Sequence, residues 1–522
     1  VSTDRADDDV RPAPPGEALG LVGLLAPAAV LAGRLAAALD GQGLTSTLAL
    51  PSVVVAAGSL AAAWLLARSE RGTVAAGWVL VGAVLVTVAG VLLRLDTHRA
   101  GLLPGLVDRG GTVAISGRVA AEPRVTALGW QTIVAVHAVD GVATRERAVT
   151  VLDDSLRLGD RVELVASARP LPDGGYGRWL AQAHAVALLD VRELRPVGEP
   201  GAFSRASEWT RERIRTASVR HQGNDRGGLL VGFVTGDTRL LPDASVDAMQ
   251  ATGLSHLTAV SGSNTAIMLA GVAGALSLMR VRAGVRWSVL ALTVPWFAFL
   301  TRLEPSVLRA GTMALLVIAA TVRGVARDAR HLLAGAVLLL VLVDPMLTWS
   351  LGLVLSAGAT LGVLVIAPAI AARLERRLPR SVAGLLGITL GAQLAVAPVL
   401  LLSFGTIEWV SVPANMLAVP VAAIGATLAF VGSAVALVHP GAAASVFALA
   451  GPAAAWVLWV ARVGARYTGG PTLPDAPALR GAVVLVLVGL VLVVVRVADR
   501  SGSRQAPSVV PAAASANSQN AS

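Results

Sequence analysis

Gly253–Leu269 reads GLSHLTAVSGSNTAIML, a run apolar enough to enter a bilayer that nonetheless carries a polar knot, Ser261-Gly262-Ser263-Asn264-Thr265. Hydrocarbon offers no hydrogen-bond partners, so Gly, Ser and Asn at membrane depth are tolerated where they pack on other helices or line a watery path. Spacing alone leaves both readings open: a pathway, or small residues that let helices approach closely. In either case the stretch is a membrane helix among others.

Outward from it, the composition agrees. Of 522 residues, 55% are hydrophobic and only 15% charged, unlike a soluble globular chain. The expectation is a polytopic α-helical membrane protein with an inserted small β-domain. The formal net charge is +10, and all 43 basic residues are arginines. With no cysteine, disulfides, thiolate metal sites and cysteine nucleophiles are excluded. The opening VSTDRADDDVRPAPP is acidic where a cleavable signal peptide is basic, so the first apolar segment is expected to stay as an anchor.

Residues 1–17 and 501–522, rich in Pro, Ala, Ser and Asp, are expected to be disordered tails. Residues 18–100 hold apolar runs near 18–39, 48–67 and 73–95, each close to the about 20 residues that span a bilayer. Residues 108–198 change character, with alternating apolar and polar positions broken by turn residues. Strands are predicted at Thr112–Ala120, Gln131–Val139, Ala148–Leu152, Asp160–Ala168 and Gln182–Val191, with a helical insert near Gly177–Leu180. This fits an extracellular OB-like barrel, and the pattern equally allows a small sandwich.

Residues 203–221, FSRASEWTRERIRTASVRH, follow. Phe203, Trp209, Ile214 and Val219 can share an apolar side while Arg205, Arg211, Arg213, Arg215 and Arg220 stay wet, as in an amphipathic interfacial helix or a solvated linker. Residues 226–498 hold runs near 257–279, 287–301, 307–322, 332–344, 351–372, 381–403, 412–438, 442–465 and 479–497. The mixed part, 226–252, reads as a re-entrant or interfacial segment in which Pro242-Asp243 opens a short helix and Gly253 closes it.

Arginine placement orients the chain. If the clusters at Arg68/Arg71, Arg280/Arg282/Arg286, Arg323/Arg327/Arg330, Arg373/Arg376/Arg377/Arg380 and Arg496/Arg500/Arg504 are cytoplasmic, the spans alternate throughout. The β-domain is then extracellular and the C-terminal tail cytoplasmic. Arg302, Arg462 and Arg466 fall on the outer side and count against this scheme.

Catalysis has little support. The histidines stand apart, with no HxH, HExxH or HxxxH spacing for a shared metal, and no Walker-type glycine loop appears. Ser255-His256 are adjacent and diverge. The expectation is no enzyme, no metal and no cofactor. Transport is better supported, because polar residues interrupt the apolar runs repeatedly. Arg302 and Arg309 flank EPSV, Gln393 stands in GAQLAVAP, and Asn415 follows closely on Pro413. Pro413, Pro420 and Gly425 suit a broken helix. With His256, Ser261, Gly262, Ser263 and Asn264, these residues are the candidates to line a hydrophilic passage.

The segment GFVTGDTRLLPDASVDAMQATGLSHLTAVSGSNTAIML resembles the signature of the ComEC competence family, the inner-membrane channel for single-stranded DNA in transformable bacteria. EPSVLRAGTMALLVIAATVRGVARDARHLLAGAVLLLVLVDP, LGLVLSAGATLGVLVIAP and APVLLLSFGTIEWVSVPANMLAVP match later stretches of that family's competence domain in order. LGDRVELVASARPLP and GGYGRWLAQAHAVALL are similar to its extracellular domain. The resemblance implies a passive conduit in the cytoplasmic membrane, working with single-stranded DNA, the lipid bilayer, a surface DNA receptor and a cytoplasmic DNA-translocating ATPase. A homodimer is compatible with it. Many relatives carry His where this chain has Asn264, and longer relatives carry a C-terminal metallo-β-lactamase-like domain that this sequence does not show, so no nuclease activity is expected.

DNA contacts are expected from Arg118, Arg124, Arg147 and Arg178 with the aromatics Trp130, Tyr176 and Trp179 of the β-domain, and from Arg211, Arg213 and Arg215 of the basic helix. Acidic residues balance arginine over 110–198, so a structural barrel with a mixed surface stays equally open. Two other classes remain: a transporter or flippase for a small or lipidic solute, and a membrane hydrolase, for which no buried acid–base pair is visible.

Overall fold

The computed structural model describes residues 85–91 and 101–469, apart from short gaps at 122–123, 127–128, 153–155, 173–176, 178–179, 181–183, 199, 259, 326–327, 405 and 407. Both expected tails, the first two apolar runs and the last one lie outside the described residues. Of the third run, residues 85–91 are described and helical.

A short helix, α1 (Leu102–Arg109), leads into strands β1 (Thr112–Val119), β2 (Arg124–Thr126), β3 (Gly129–Val139), β4 (Val142–Leu152), β5 (Arg161–Arg169) and β6 (Ala185–Pro196). Pairing runs β1–β3–β4–β6–β5 and back to β1, and only β4–β6 is parallel. That closed circuit is the OB barrel and removes the sandwich alternative. Alternate residues of β1 and β5 point inward, so Val113, Ile115, Val119, Val162, Leu164 and Ala166 meet Val134, Val136, Ala148 and Leu189 in the core. Gly117 sits at a bulge where β1 passes the Ala135 carbonyl, with 2.7 Å to the place a Cβ would occupy.

The third predicted strand, Ala148–Leu152, is β4, and it begins earlier than its apolar pattern announced, at Val142. Asp140 and Gly141 both have positive φ (46° and 79°), forming a two-residue hairpin turn, and ladder pairing carries the strand through the polar run before Ala148. Within that run, buried Glu146 turns back to α1 and accepts the Leu103 N–H at 3.2 Å, a carboxylate at a helix N-terminus. Leu103 itself is fully buried in the barrel core.

The helices are α2 (Ala202–Thr235), α3 (Asp243–Ala251), α4 (Ser255–Thr258), α5 (Gly262–Leu278), α6 (Ala283–Leu300), α7 (Pro305–Val322), α8 (Ala329–Val343), α9 (Leu351–Leu374), α10 (Arg380–Phe404), α11 (Ser411–Val438) and α12 (Pro440–Gly464). Among the described residues, seven segments are long and apolar enough to cross a bilayer, and α8 is a shorter apolar helix. The chain is a polytopic helical membrane protein carrying a β-domain. Its described residues fall into two compact units: the barrel with the helices to Ala357 and from Pro413 to Thr468, and Gly358–Val412.

In the first unit, α2 bends at Gly223 (φ 69°) and its second half is core. Leu229, Leu230, Val231, Phe233 and Val234 are at most 2% exposed and pack with Ala414, Ala418, Ala422 and Ala426 of α11 and Ala443, Ala450 and Ala454 of α12. Such alanine rows let membrane helices pack closely. In the 203–221 stretch Ile214 and Ala217 face the core and Phe203 and Trp209 are exposed, while the wet-side placement of Arg211 is corrected, since it is 2% exposed.

The broken helix expected at Pro413–Gly425 is also corrected, since α11 runs unbroken from Ser411 to Val438. Pro413 lies in the first turn, where no N–H is needed. Pro420 disturbs the carbonyls one turn back, and the Trp456 indole N–H of α12 donates to the Leu417 carbonyl at 2.9 Å. Trp456→Phe is therefore expected to lower stability by about 1 kcal/mol, read as a reduced melting temperature in detergent. An unchanged melting temperature would show that this carbonyl needs no donor.

In the second unit the irregularity is a π-turn, Gly362–Ile366, within α9. Gly362 lies so close to the Gly391 carbonyl of α10 that a Cβ has no room, and Gly391 in turn faces Ala367.

Candidate functional site at the head of α5

The polar knot folds as a helix start. Ser261 is the N-cap of α5, its Oγ accepting the Asn264 N–H at 3.3 Å, and Ser261 and Ser263 hydroxyls lie 2.6 Å apart. Ser263 is exposed, while Ser261 and Gly262 are half-buried. Asn264 has a different place. It is buried, and its Nδ2 donates to the Phe233 carbonyl at 2.8 Å, in the last turn of α2 where carbonyls lack helical partners. Asn264 thus fastens α5 to α2. His256 is exposed on α4, with Nδ1 3.1 Å from the Gly253 carbonyl of its own turn.

Against this head lies Arg309 of α7. It is 5% exposed, its Nε donates to the Ser356 hydroxyl of α9 at 2.9 Å, and its Nη1 lies 3.2 Å from Met313 Sδ. Nη2 is 2.5 Å from where a Cβ of residue 262 would sit, so only glycine admits the guanidinium in this position. No carboxylate among the described residues pairs with Arg309. A buried cation inside an apolar helix is costly, and membrane proteins keep such groups where they serve a path or a ligand.

A second cluster gathers residues the sequence assigned to different tasks. Arg211, a DNA-contact candidate, donates through Nη1 to the carbonyls of Thr235 (3.1 Å) and Leu300 (2.8 Å), the last residues of α2 and α6. One guanidinium so caps two helix C-termini, where a cation is favoured. Its Nη2 pairs with Asp237 at 3.2 Å, and Asp237 also takes Arg215 (2.9 Å) and Arg239 (2.8 Å). Arg215 further reaches Glu208 and Glu212, and Glu208 holds Arg302 at 2.8 Å. Arg302, a passage candidate, is thereby tied down in a turn where it and Leu303 both have positive φ. Arg213 donates to the Leu437 carbonyl at 2.9 Å and lies over the Trp209 ring at 4.6 Å.

Asp237 titrates accordingly. Burial pushes its pKa up, but the Arg239 hydrogen bond and the charges of Arg211, Arg239 and Arg215 outweigh burial and hold the carboxyl well below the usual range. The unfolded group titrates near about 3.9, so the carboxylate's contribution is complete above that pH and is lost as pH falls toward the lower folded value. Melting temperature is expected to drop steeply below about pH 4, and to drop less in Asp237→Asn. Equal acid sensitivity in the two proteins would contradict this.

Gln393 of α10, half-buried, accepts the Ser411 hydroxyl at 3.4 Å within the second unit, and Asn415 of α11 is 8% exposed in the first. On the barrel, Arg118 and Arg147 are exposed. Arg118, His137 and Arg161 line a shallow cleft of about 370 Å³ with Ser116 and Glu163. Arg124 and Trp130 stand in β2 and β3, paired through Gln131 and Val125. Tyr176, Arg178 and Trp179 lie outside the described residues. Sequence reasoning passed over Asp237, Glu208 and Ser356. The only signal was the acid in TGDTR, between an apolar run and a basic residue.

A family model described as Competence protein matches residues 233–498, which hold both the α5 head and Arg309. Among curated proteins, the ComE operon protein 3 of Bacillus subtilis (strain 168) is 28% identical over 249 residues, 47% of this chain and 31% of that relative. The chain therefore spans well under two thirds of that protein's length. No solved structure matches.

Proposed function

This chain belongs to the competence protein family, and from that premise we propose that it is a passive channel admitting single-stranded DNA through the cytoplasmic membrane during natural transformation. One observation carries the reading: within the matched residues, a polar helix head meets a buried guanidinium that no carboxylate among the described residues neutralises. A path for a polyanion needs cationic and hydrogen-bonding groups at membrane depth, and it needs them free of acidic partners.

In this reading the arginine-rich ends around 280–286, 323–330 and 373–380 are cytoplasmic and the barrel is extracellular. A surface receptor delivers DNA, and a cytoplasmic ATPase or strand-binding protein supplies the pull. The channel catalyses nothing itself. Asn264, Arg211 and Arg302 act as fasteners that hold the path's walls. The test is uptake of labelled DNA by a deletion strain with and without this gene. Restoration of uptake supports the reading. Normal uptake in the deletion strain, or lipid or solute flux through reconstituted protein that proceeds without DNA, would replace it with the transporter or flippase alternative.

A further inference from the structure

We infer that Arg309 and the N-terminus of α5 form a seat for a single phosphodiester anion. Two independent features converge there. The first-turn N–H groups of Gly262 and Ser263 have no carbonyl one turn back within α5, and Ser261 Oγ accepts the Asn264 N–H and shares a hydrogen bond with the Ser263 hydroxyl. Arg309 is only 5% exposed, its hydrogen bonds among the described residues run from Nε and Nη1, and its Nη2 is the nitrogen turned to Gly262. Nε is held by Ser356, which fixes the guanidinium plane and leaves one edge free.

The chemistry selects the ligand class. A guanidinium edge with backbone N–H groups and two serine hydroxyls offers donors, and among the described residues no carboxylate pairs with Arg309. Phosphate oxygens match this set, and a phosphodiester can come from a nucleic-acid backbone or from a lipid headgroup. The nucleic-acid source rests on the conduit reading above, whereas the seat itself rests on geometry alone. A single seat at membrane depth would hold each phosphate briefly, and an advancing strand would exchange one for the next.

The experiment uses the full chain purified in detergent, with Arg309→Met, Arg309→Lys and Gly262→Ala beside the wild type. Gly262→Ala keeps every charge and moves only the flexible end of Arg309. The probes are a short oligothymidylate, phosphatidylglycerol and inorganic phosphate, read as ligand-induced rises in melting temperature and as dissociation constants. The seat predicts at least tenfold weaker oligothymidylate binding in Arg309→Met, a smaller loss in Gly262→Ala, and partial retention in Arg309→Lys. It also predicts that Arg309→Met melts no lower than wild type without ligand, since an unneutralised buried charge has been removed.

A merely structural arginine would do the reverse, lowering the ligand-free melting temperature while leaving all three affinities intact, and that result overturns the seat. If phosphatidylglycerol binding depends on Arg309 and oligothymidylate binding does not, the seat stands and the DNA conduit falls. If no probe distinguishes the variants, the seat falls, and the conduit is judged by the uptake experiment alone.

Discussion

Asp237→Ala lowers the stability of the helical unit by about 3–5 kcal/mol, the cost typical of removing one partner from a buried ion pair. The carboxylate and the Arg211 side chain are each 2% exposed, and Arg215 and Arg239 converge on the same group. With the acid gone, the guanidinium groups of Arg211, Arg215 and Arg239 face one another with no carboxylate between them, and Arg211, the buried one, retains the carbonyls of Thr235 and Leu300. Thermal denaturation in detergent checks this. Because the penalty comes from leaving a charge unpaired, the double change Asp237→Leu with Arg211→Met is expected to cost clearly less than Asp237→Ala alone. A double variant as unstable as the sum of the single ones would show that the network is not a unit.

Asn264→Leu is expected to abolish DNA uptake, with at least a tenfold loss in labelled strand recovered from cells, while the protein still reaches the membrane. Leucine keeps asparagine's γ-branched shape, with more bulk, but has no donor, so the Phe233 carbonyl is left buried and unsatisfied at a cost of about 1–3 kcal/mol. The head of α5 then loses its anchor on α2 and no longer holds Ser261, Gly262 and Ser263 against Arg309. Asn264→His supplies a ring N–H at the same place and is expected to restore much of the uptake. If leucine leaves uptake intact, the fastening has no functional consequence. If histidine fails while folding normally, hydrogen bonding to Phe233 is not what the position provides.

Much of this architecture could be read before any coordinates. Each apolar run from 257 to 465 became a helix, because about 20 apolar residues have one stable solution in hydrocarbon. The barrel followed from period-two alternation, and only its closure, through the parallel pairing of Arg147–Thr150 with Ala185–Leu189, required the structure. The site was legible in kind and not in arrangement. Ser261, Gly262 and Arg309 are legible as interruptions of apolar sequence, and the structure sets Arg309 Nη2 against Gly262.

What no local pattern carries is which arginine finds an acid. Arg211 reaches Asp237 beyond the far end of its own helix, Arg302 reaches Glu208 of α2, and Arg309 reaches no acid among the described residues. Helical periodicity put Arg211 on the wet side because it weighs one residue against its neighbours and not against two distant helix ends. Pro420 misled for a similar reason, since the donor that satisfies the helix around it comes from Trp456 on another helix.

The chain contains no cysteine, so a single thiol introduced by Ser263→Cys reports on one place alone. In membranes it is expected to react with a water-soluble, membrane-impermeant thiol reagent, and a bound oligonucleotide is expected to slow that reaction severalfold. A thiol that stays inert at position 263 while Asp247→Cys reacts readily, or one whose labelling rate ignores the oligonucleotide at saturating concentration, would contradict a water-filled DNA route past the head of α5.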